Sequence, residues 1–160
     1  RADEESLLGV VGSIRRHCPR IILTNAIRDR HPDHGRAAAL VAEACFLSGL
    51  RRGVTKDGGV EQEAWRPTTV LHAVQDRWID PDLVVDITPH WDRKMESLLC
   101  FGSQFHDPAS KEPVSPIARP DFLPFLQGRS LEMGRLIGVT YGEGFTTVRP
   151  PAVRDLMDLG

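Results

Sequence analysis

The sequence predicts an α/β protein in which short buried strands alternate with amphipathic helices. Two apolar runs rich in β-branched residues, at 21–23 and 83–87, have the length of strands in a sheet. Around them, apolar residues recur at the three- and four-residue spacing of helices. The resulting order of elements, α-β-α-β-β-α-α, is typical of a layered α/β fold.

The first half of the chain contains two predicted helices on either side of a strand. The first helix covers residues 7–17, with cations in its last turn, and stops before Pro19. Residues 21–23 form a continuous apolar run, which favours a strand buried on both faces. Apolar residues at 37–47 predict the second helix, and the glycine-rich, charged stretch at 51–66 indicates a surface loop.

The second half is predicted to contain two strands and two helices. The strands are residues 69–74 and 83–87, and Thr88 is expected to cap the helix that follows, with Pro89 in its first turn. Residues 107–120 form a loop, residues 121–137 a helix, and the tail is irregular. Trp91, Met95 and Phe101 form the core stripe of the third predicted helix. Pro124 is tolerated in the first turn of the last helix. The irregular tail is predicted from its glycines and prolines, which are Gly142, Gly144, Pro150 and Pro151.

Composition narrows the classes of function. The 160 residues include 20 basic and 22 acidic side chains, so the net charge is −2, which argues against a nucleic-acid surface. No apolar run approaches the 18 residues of a membrane span, so we expect no membrane partner. Cys18, Cys45 and Cys100 are scattered and form no CxxC motif, which favours three buried thiols in a reducing, cytoplasmic protein.

The densest chemical signal is the segment His31-Pro32-Asp33-His34, which follows a predicted strand and opens a predicted helix. Ligands of open α/β sheets bind at this carboxyl end of the strands. Two imidazoles and a carboxylate could supply a metal ligand, a proton-transfer group and an orienting group. They do not complete a zinc site, because catalytic zinc takes three protein ligands.

Two other interpretations of this segment stay open. In the first, Asp33 caps the helix and both histidines are exposed polar residues without a role in chemistry. In the second, His-Pro-Asp is the tripeptide with which J-domain co-chaperones engage their partner. The second is disfavoured, because that tripeptide lies between two helices of a small all-helical domain and here it follows a strand.

In its context, the segment resembles the second signature of the PIG-L/LmbE-like zinc deacetylases. The similarity is greatest to the N-acetylglucosaminyl-malate deacetylases of bacillithiol biosynthesis. It continues in order through "PRIILTNAIRDRHPDHGRAA", "DLVVDIT", "FGSQF", "GRLIGVTYGEGF" and "RPPAV". The resemblance implies a Rossmann-like α/β fold of which residues 1–160 are the C-terminal two-thirds of a single domain. The family's first signature, Ala-His-Pro-Asp-Asp, does not occur, so two zinc ligands and the general base are expected outside this chain.

The resemblance also implies a reaction and roles for its residues. The reaction is removal of the N-acetyl group from a small N-acetylglucosamine conjugate, with Zn²⁺ as cofactor, and the family is compatible with a homo-oligomer. His34 would be a zinc ligand, His31 would stabilise the oxyanion, and Asp33 would orient His31. The alternative from another class is a non-catalytic remnant that binds a sugar or a partner chain and lacks a complete zinc site.

Four further residues are candidates for substrate binding. Arg30 would bind a substrate carboxylate, or else pair with Asp29 or Asp33. Arg66 is a second cation that could do so. The Tyr141 hydroxyl and the Glu143 carboxylate would contact the sugar, although their glycine-rich segment favours a tight turn with Phe145 packed. Asp86 would either support the site or accept hydrogen bonds from loop amides near Thr88.

Overall fold

The computed structural model describes residues 3–102, 104–105 and 115–158. The helices are α1 (Glu4–His17), α2 (Pro32–Ser48), α3 (Trp91–Leu99) and α4 (Phe122–Ile137). The strands are β1 (Ile21–Thr24), β2 (Lys56–Asp57), β3 (Val60–Glu61), β4 (Thr69–Ala73), β5 (Leu83–Asp86) and β6 (Gly142–Thr147). Short 3₁₀ turns occur at Thr88–His90, Pro116–Ala118 and Leu156–Asp158. Within the described ranges, no helix has both the length and the hydropathy to cross a bilayer.

The chain forms two compact units, Arg1–Asp82 with Phe145–Gly160, and Leu83–Gly144. In the first unit, β1 pairs in parallel with β4, and β4 pairs in antiparallel with the end of β6. In the second unit, β5 is the neighbour of the start of β6, and α4 packs against β5. β2 and β3 form a separate antiparallel hairpin in the first unit.

The core of the first unit forms where α1 packs on α2. Val11, Ile14, Ala44 and Cys45 are buried there, and Ile22 of β1 packs against them. Asp3 is the N-cap of helix α1, and its carboxylate accepts a hydrogen bond from the Ser6 N–H at 2.8 Å. Burial of these apolar stripes, rather than intrinsic helix propensity, is what stabilises helices of this length.

A buried arginine fixes the loop that leaves α2. Arg15 is 5% exposed, and its guanidinium donates to the carbonyls of Ser48, Leu50 and Gly53 at 3.0, 2.7 and 2.5 Å. It also donates to the Thr55 hydroxyl at 2.9 Å. The cation lies at the carboxyl end of α2, where the helix dipole is negative, so it satisfies carbonyls that the helix itself leaves without partners.

Two elements correct the sequence prediction. Residues 51–66 contain the hairpin β2–β3 rather than only a loop, and its turn uses Gly58 and Gly59 at positive φ. The predicted irregular tail contains β6, and the tight turn predicted around its glycines is wrong. Gly142 has no positive φ; a Cβ there would lie 2.7 Å from Val84 Cγ1, so glycine is needed for close packing.

Several predictions of burial were also wrong. Ile21 and Leu23 are 56% and 65% exposed, so β1 is covered on one face only. Cys18 and Cys100 are exposed free thiols, and only Cys45 is buried, where burial raises its pKa. In the predicted core stripe of α3, Trp91 is buried but Phe101, just past the helix, is exposed.

The end of β5 shows how the next helix begins. Thr88 does not cap α3; its hydroxyl accepts a hydrogen bond from the Tyr141 N–H at 3.0 Å. The Asp86 carboxylate accepts the Thr88 N–H at 2.8 Å, as its structural interpretation predicted, and this bond lowers the pKa of Asp86. Pro124 lies in the first turn of α4 as expected. Of the predicted loop at 107–120, residues 107–114 lie outside the described residues.

Candidate functional site

The segment His31–His34 lies where the chain leaves β1 and enters α2. His31 has an extended backbone and is the N-cap of α2, because its Nδ1 accepts a hydrogen bond from the Asp33 N–H at 3.3 Å. Pro32 takes the first helical position, where its missing N–H leaves no hydrogen bond unmade. The start of α2 therefore fixes the direction in which both imidazoles leave the backbone. Asp33 does not cap the helix, so the interpretation in which Asp33 is the cap is wrong on this point.

His34 is held by a buried carboxylate, that of Asp29. His34 Nδ1 and Asp29 Oδ2 are 2.5 Å apart, the Asp29 side chain is fully buried, and 33% of the His34 side chain is exposed. Asp29 Oδ1 accepts the Arg77 N–H at 2.7 Å. Burial raises the pKa of Asp29, but the hydrogen bonds from the Arg77 N–H and the His34 ring outweigh burial and hold that pKa below its usual value.

This contact determines which nitrogen of His34 is available. With Asp29 ionised, Nδ1 donates the hydrogen bond, and in the neutral form of the ring Nε2 carries a lone pair. Metal-binding histidines are commonly oriented in this way, with the second ring nitrogen donating to a carboxylate. From the sequence, Asp29 was considered only as a partner of Arg30, and its contact with His34 was missed. The available signal was an acidic residue at the end of a strand, five positions before the histidine.

His31 is the neighbour of His34 and is more exposed. The two ring centroids are 5.5 Å apart, and 52% of the His31 side chain is accessible. The nearest Asp33 oxygen is 3.8 Å from His31 Nδ1, which is too long for a hydrogen bond. Asp33 instead forms an ion pair with Arg36 at 2.9 Å. The structure thus brings the two histidines together, while the orienting role of Asp33 stays a prediction.

Arg30 is placed beside the histidines but has a different partner from those predicted. Its Nε donates to Asp76 Oδ2 at 3.2 Å, and both side chains are partly exposed. Asp29 and Asp33 are engaged elsewhere, so the predicted pairing of Arg30 with either is wrong. An exposed ion pair of this kind is worth little to stability, and the predicted contact of Arg30 with a substrate carboxylate stays a prediction.

Arg66 is not brought to this segment. Its guanidinium donates to the Phe46 carbonyl at 2.9 Å and lies 4.6 Å from the centroid of the Phe46 ring. Phe46 is near the carboxyl end of α2, and His31 is at its amino end. Fifteen residues of helix separate them, a distance of about 22 Å at 1.5 Å per residue. Arg66 is therefore removed from the candidate site.

Tyr141 and Glu143 belong to the second unit. The Tyr141 ring stacks on Trp91 with centroids 4.1 Å apart and planes at 12°, and its hydroxyl accepts from Gln127 at 3.1 Å. Glu143 forms an ion pair with Lys94. Both side chains thus have structural partners within their own unit, and their predicted contact with a sugar stays a prediction.

Zinc is the cofactor that the sequence resemblance implies, and His34 fits one ligand position. Over residues 3–102, 104–105 and 115–158, no three His, Cys, Asp or Glu side chains are grouped so that they could hold an ion. Imidazole is a suitable donor for zinc, and the buried carboxylate behind it is the support such ligands usually have. The described residues could therefore supply one zinc ligand with its support, and this role of His34 stays a prediction.

Comparison with known proteins finds a similar enzyme sequence and several similar solved structures. No protein-family model matches it. It is 28% identical to the 4-oxalmesaconate hydratase of Pseudomonas putida KT2440 over 98% of its own length and 58% of that enzyme. The crystal structure of the conserved protein TT1542 from Thermus thermophilus matches with a TM-score of 0.79 and 25% identity, over 96% of this chain and 63% of that one.

A third comparison decides the fold. The N,N′-diacetylchitobiose deacetylase of Pyrococcus horikoshii matches with a TM-score of 0.70 and 21% identity, over 99% of this chain and 57% of that one. The chain has the α/β fold of LmbE-like deacetylases. The predicted fold class is thereby confirmed, whereas the bacillithiol branch is not singled out. The chain spans 57–63% of the length of these three proteins.

Proposed function

We propose that the protein is a metal-dependent enzyme that removes the N-acetyl group from an N-acetylglucosamine conjugate. The observation that carries this proposal is the His34–Asp29 pair, which engages Nδ1 of His34 and leaves Nε2 as the nitrogen that could bind a metal, beside a second, exposed imidazole. This is the geometry of a metal ligand next to a group that can interact with the reacting carbonyl. The similarity of fold to a deacetylase supports the same conclusion.

Each residue of the segment has a task in this proposal. His34 holds the metal through Nε2, and Asp29 keeps its ring oriented and its Nδ1 protonated. A zinc ion bound there supplies Lewis-acid polarisation of the acetyl oxygen and lowers the pKa of a water molecule. His31, whose Nδ1 accepts the Asp33 N–H, would donate a hydrogen bond from Nε2 to the oxygen that becomes negative during attack on the amide carbon.

The substrate class follows from the charges beside the histidines. Arg28, Arg30, Arg36 and the Arg77 side chain are all exposed or partly exposed near this end of β1. Guanidinium groups bind carboxylates in a bidentate manner, so they favour an anionic substrate. N-acetylglucosaminyl-malate, which carries two carboxylates, is our best assignment.

Hydration of a carbon–carbon double bond is the second candidate. The relative that matches 98% of this chain is named as a hydratase of 4-oxalmesaconate, itself a polycarboxylate. Both reactions add water to an electrophilic carbon of an anionic substrate, so the same histidines and arginines suit either. A non-catalytic remnant is the third candidate, in which His31 serves only as the N-cap of α2.

Protein expressed from the intact gene distinguishes these three candidates. We expect about one zinc per chain by elemental analysis and release of acetate from N-acetylglucosaminyl-malate. His34→Ala should abolish both, whereas His17→Ala, an exposed histidine of α1, should change neither. Consumption of 4-oxalmesaconate without release of acetate would replace the deacetylase by the hydratase. Absence of zinc and of both reactions would leave only the remnant.

A further inference from the structure

A cavity of about 560 Å³ lies at the other end of β1 from the histidines. Its walls come from the first unit alone: the residue before β1, the end of α2, the start of β4 and the segment after β6. A volume of this size is in the range that holds a small organic molecule. The cavity is thus large enough to be a binding site.

Four arginines line this cavity, namely Arg20, Arg66, Arg149 and Arg154. Among the described residues that line it, none is acidic. No ion pair within the described part of the chain involves any of the four. Cations that share a cavity repel one another, and an anion placed between them relieves that repulsion.

Two of these arginines are fixed by the fold. The Arg20 carbonyl accepts the N–H groups of Thr68 and Thr69 at 2.9 and 3.3 Å, which anchors its backbone between β1 and β4. Arg66 is held by the carbonyl and ring of Phe46 and lies across Gly49, where a Cβ would be 2.3 Å from Arg66 Nε. The Arg66 guanidinium is therefore in position before any ligand arrives, which lowers the entropic cost of binding.

The position of the cavity separates it from the candidate catalytic site. Arg20 directly precedes β1 and the histidine segment follows it. Four strand residues at about 3.3 Å each place the two ends roughly 13 Å apart. The two sites therefore occupy opposite ends of the β1–β4 pair.

The apolar residues that line the cavity indicate the nonpolar part of its ligand. Phe46, Val70, Val148 and Pro150 provide apolar surface beside the four cations. We propose that this cavity binds a small organic anion with at least two phosphate or carboxylate groups. The guanidinium groups pair with the charged groups in bidentate fashion, and the apolar wall contacts the carbon skeleton.

Calorimetric titration with two simple dianionic probes tests this site. Metal-free His34→Ala protein is titrated with inorganic pyrophosphate and, separately, with malonate, so that anions cannot bind a metal at the histidines. We expect one probe molecule per chain, with affinity that falls as salt rises. Tighter binding of pyrophosphate would identify a phosphorylated ligand, and tighter binding of malonate a polycarboxylate.

Matched variants locate the binding. Arg149→Gln with Arg154→Gln should weaken binding at least about tenfold, since each removes a charge-assisted contact. Ala152→Glu should weaken it comparably without removing an arginine. Arg52→Gln, an exposed arginine outside the cavity, should leave affinity unchanged, and Arg30→Gln tests whether the probe binds at the histidine end instead. The proposal is overturned if neither probe binds, or if Arg30→Gln abolishes binding while the cavity variants preserve it.

Discussion

The two ends of β1 differ in whether their charged side chains have partners of opposite charge. At the carboxyl end, the charged side chains are paired: Asp29 with His34, Arg30 with Asp76, and Asp33 with Arg36. At the amino end, Arg20, Arg149 and Arg154 share a cavity with no acidic lining residue among those described. At the carboxyl end, these side chains are therefore oriented by charged partners within the protein. At the amino end, charge balance is left to a ligand, so this end should respond much more strongly to salt and to added anions.

Arg15 extends this comparison, because it is a cation satisfied entirely by neutral oxygens. Replacing it by Met should lower the free energy of unfolding by about 3 kcal/mol, since the carbonyls of Leu50 and Gly53 lose this donor and that of Ser48 keeps the Trp65 N–H. Denaturant unfolding measures the change. Arg16→Met removes only the exposed pair with Asp57 and should cost less than about 1 kcal/mol. Equal losses in the two variants would show that the buried carbonyls do not depend on Arg15.

Asp29→Asn breaks the pairing at the carboxyl end. We expect zinc affinity to fall by about 10- to 100-fold, because the amide no longer favours a protonated Nδ1 on His34. Competition with a chromogenic chelator gives the affinity. Asp76→Asn removes a partner of Arg30 instead and should leave zinc affinity unchanged. A similar loss in both variants would mean that overall negative charge, rather than the orientation of His34, controls the metal.

For Asp29→Asn we also predict that the change in the free energy of unfolding depends on pH. The pKa of Asp29 is depressed in the folded protein, so its contribution to stability is complete above its unfolded value of about 3.9. That contribution is lost as the pH falls through the folded pKa. The difference in unfolding free energy between the native protein and Asp29→Asn should be constant above about pH 5 and shrink below about pH 4. A difference that grew towards acid pH would contradict the assigned direction.

Gly49→Ala is the mildest way to change the arginine cavity, since it alters shape and keeps every charge. The new Cβ would displace Arg66 from the Phe46 carbonyl, so we expect a loss of about 1 kcal/mol in stability. Gly9→Ala is the control, because nothing lies within 4 Å of its Cβ in α1 and alanine favours a helix. Anion affinity in Gly49→Ala should change less than in the arginine variants. A larger change would show that Arg66 alone determines binding.

The elements that sequence predicted well are those whose apolar residues follow a single period. The helices at residues 7–17, 37–47 and 121–137 show the helical spacing and were found within a few residues of their ends. Strand β6 was missed because Gly142 and Gly144 resemble turn residues, and the packing of Val84 against Gly142 shows that the first of them serves close packing instead. The hairpin β2–β3 was missed because its strands have two residues each and carry no alternating pattern.

For the candidate site, the reactive groups and their place after a strand are already evident in the amino-acid sequence. His31, Asp33 and His34 lie close together in the chain, so local spacing implied a shared location. Their partners depend on the folded chain: Asp29 with His34, Asp76 with Arg30, and Arg66 with Phe46 rather than with the site. Folding also gathers Arg20, Arg66, Arg149 and Arg154 into one cavity. Such contacts join residues up to 134 positions apart (154 − 20), and only the pairing of β1, β4 and β6 brings them together.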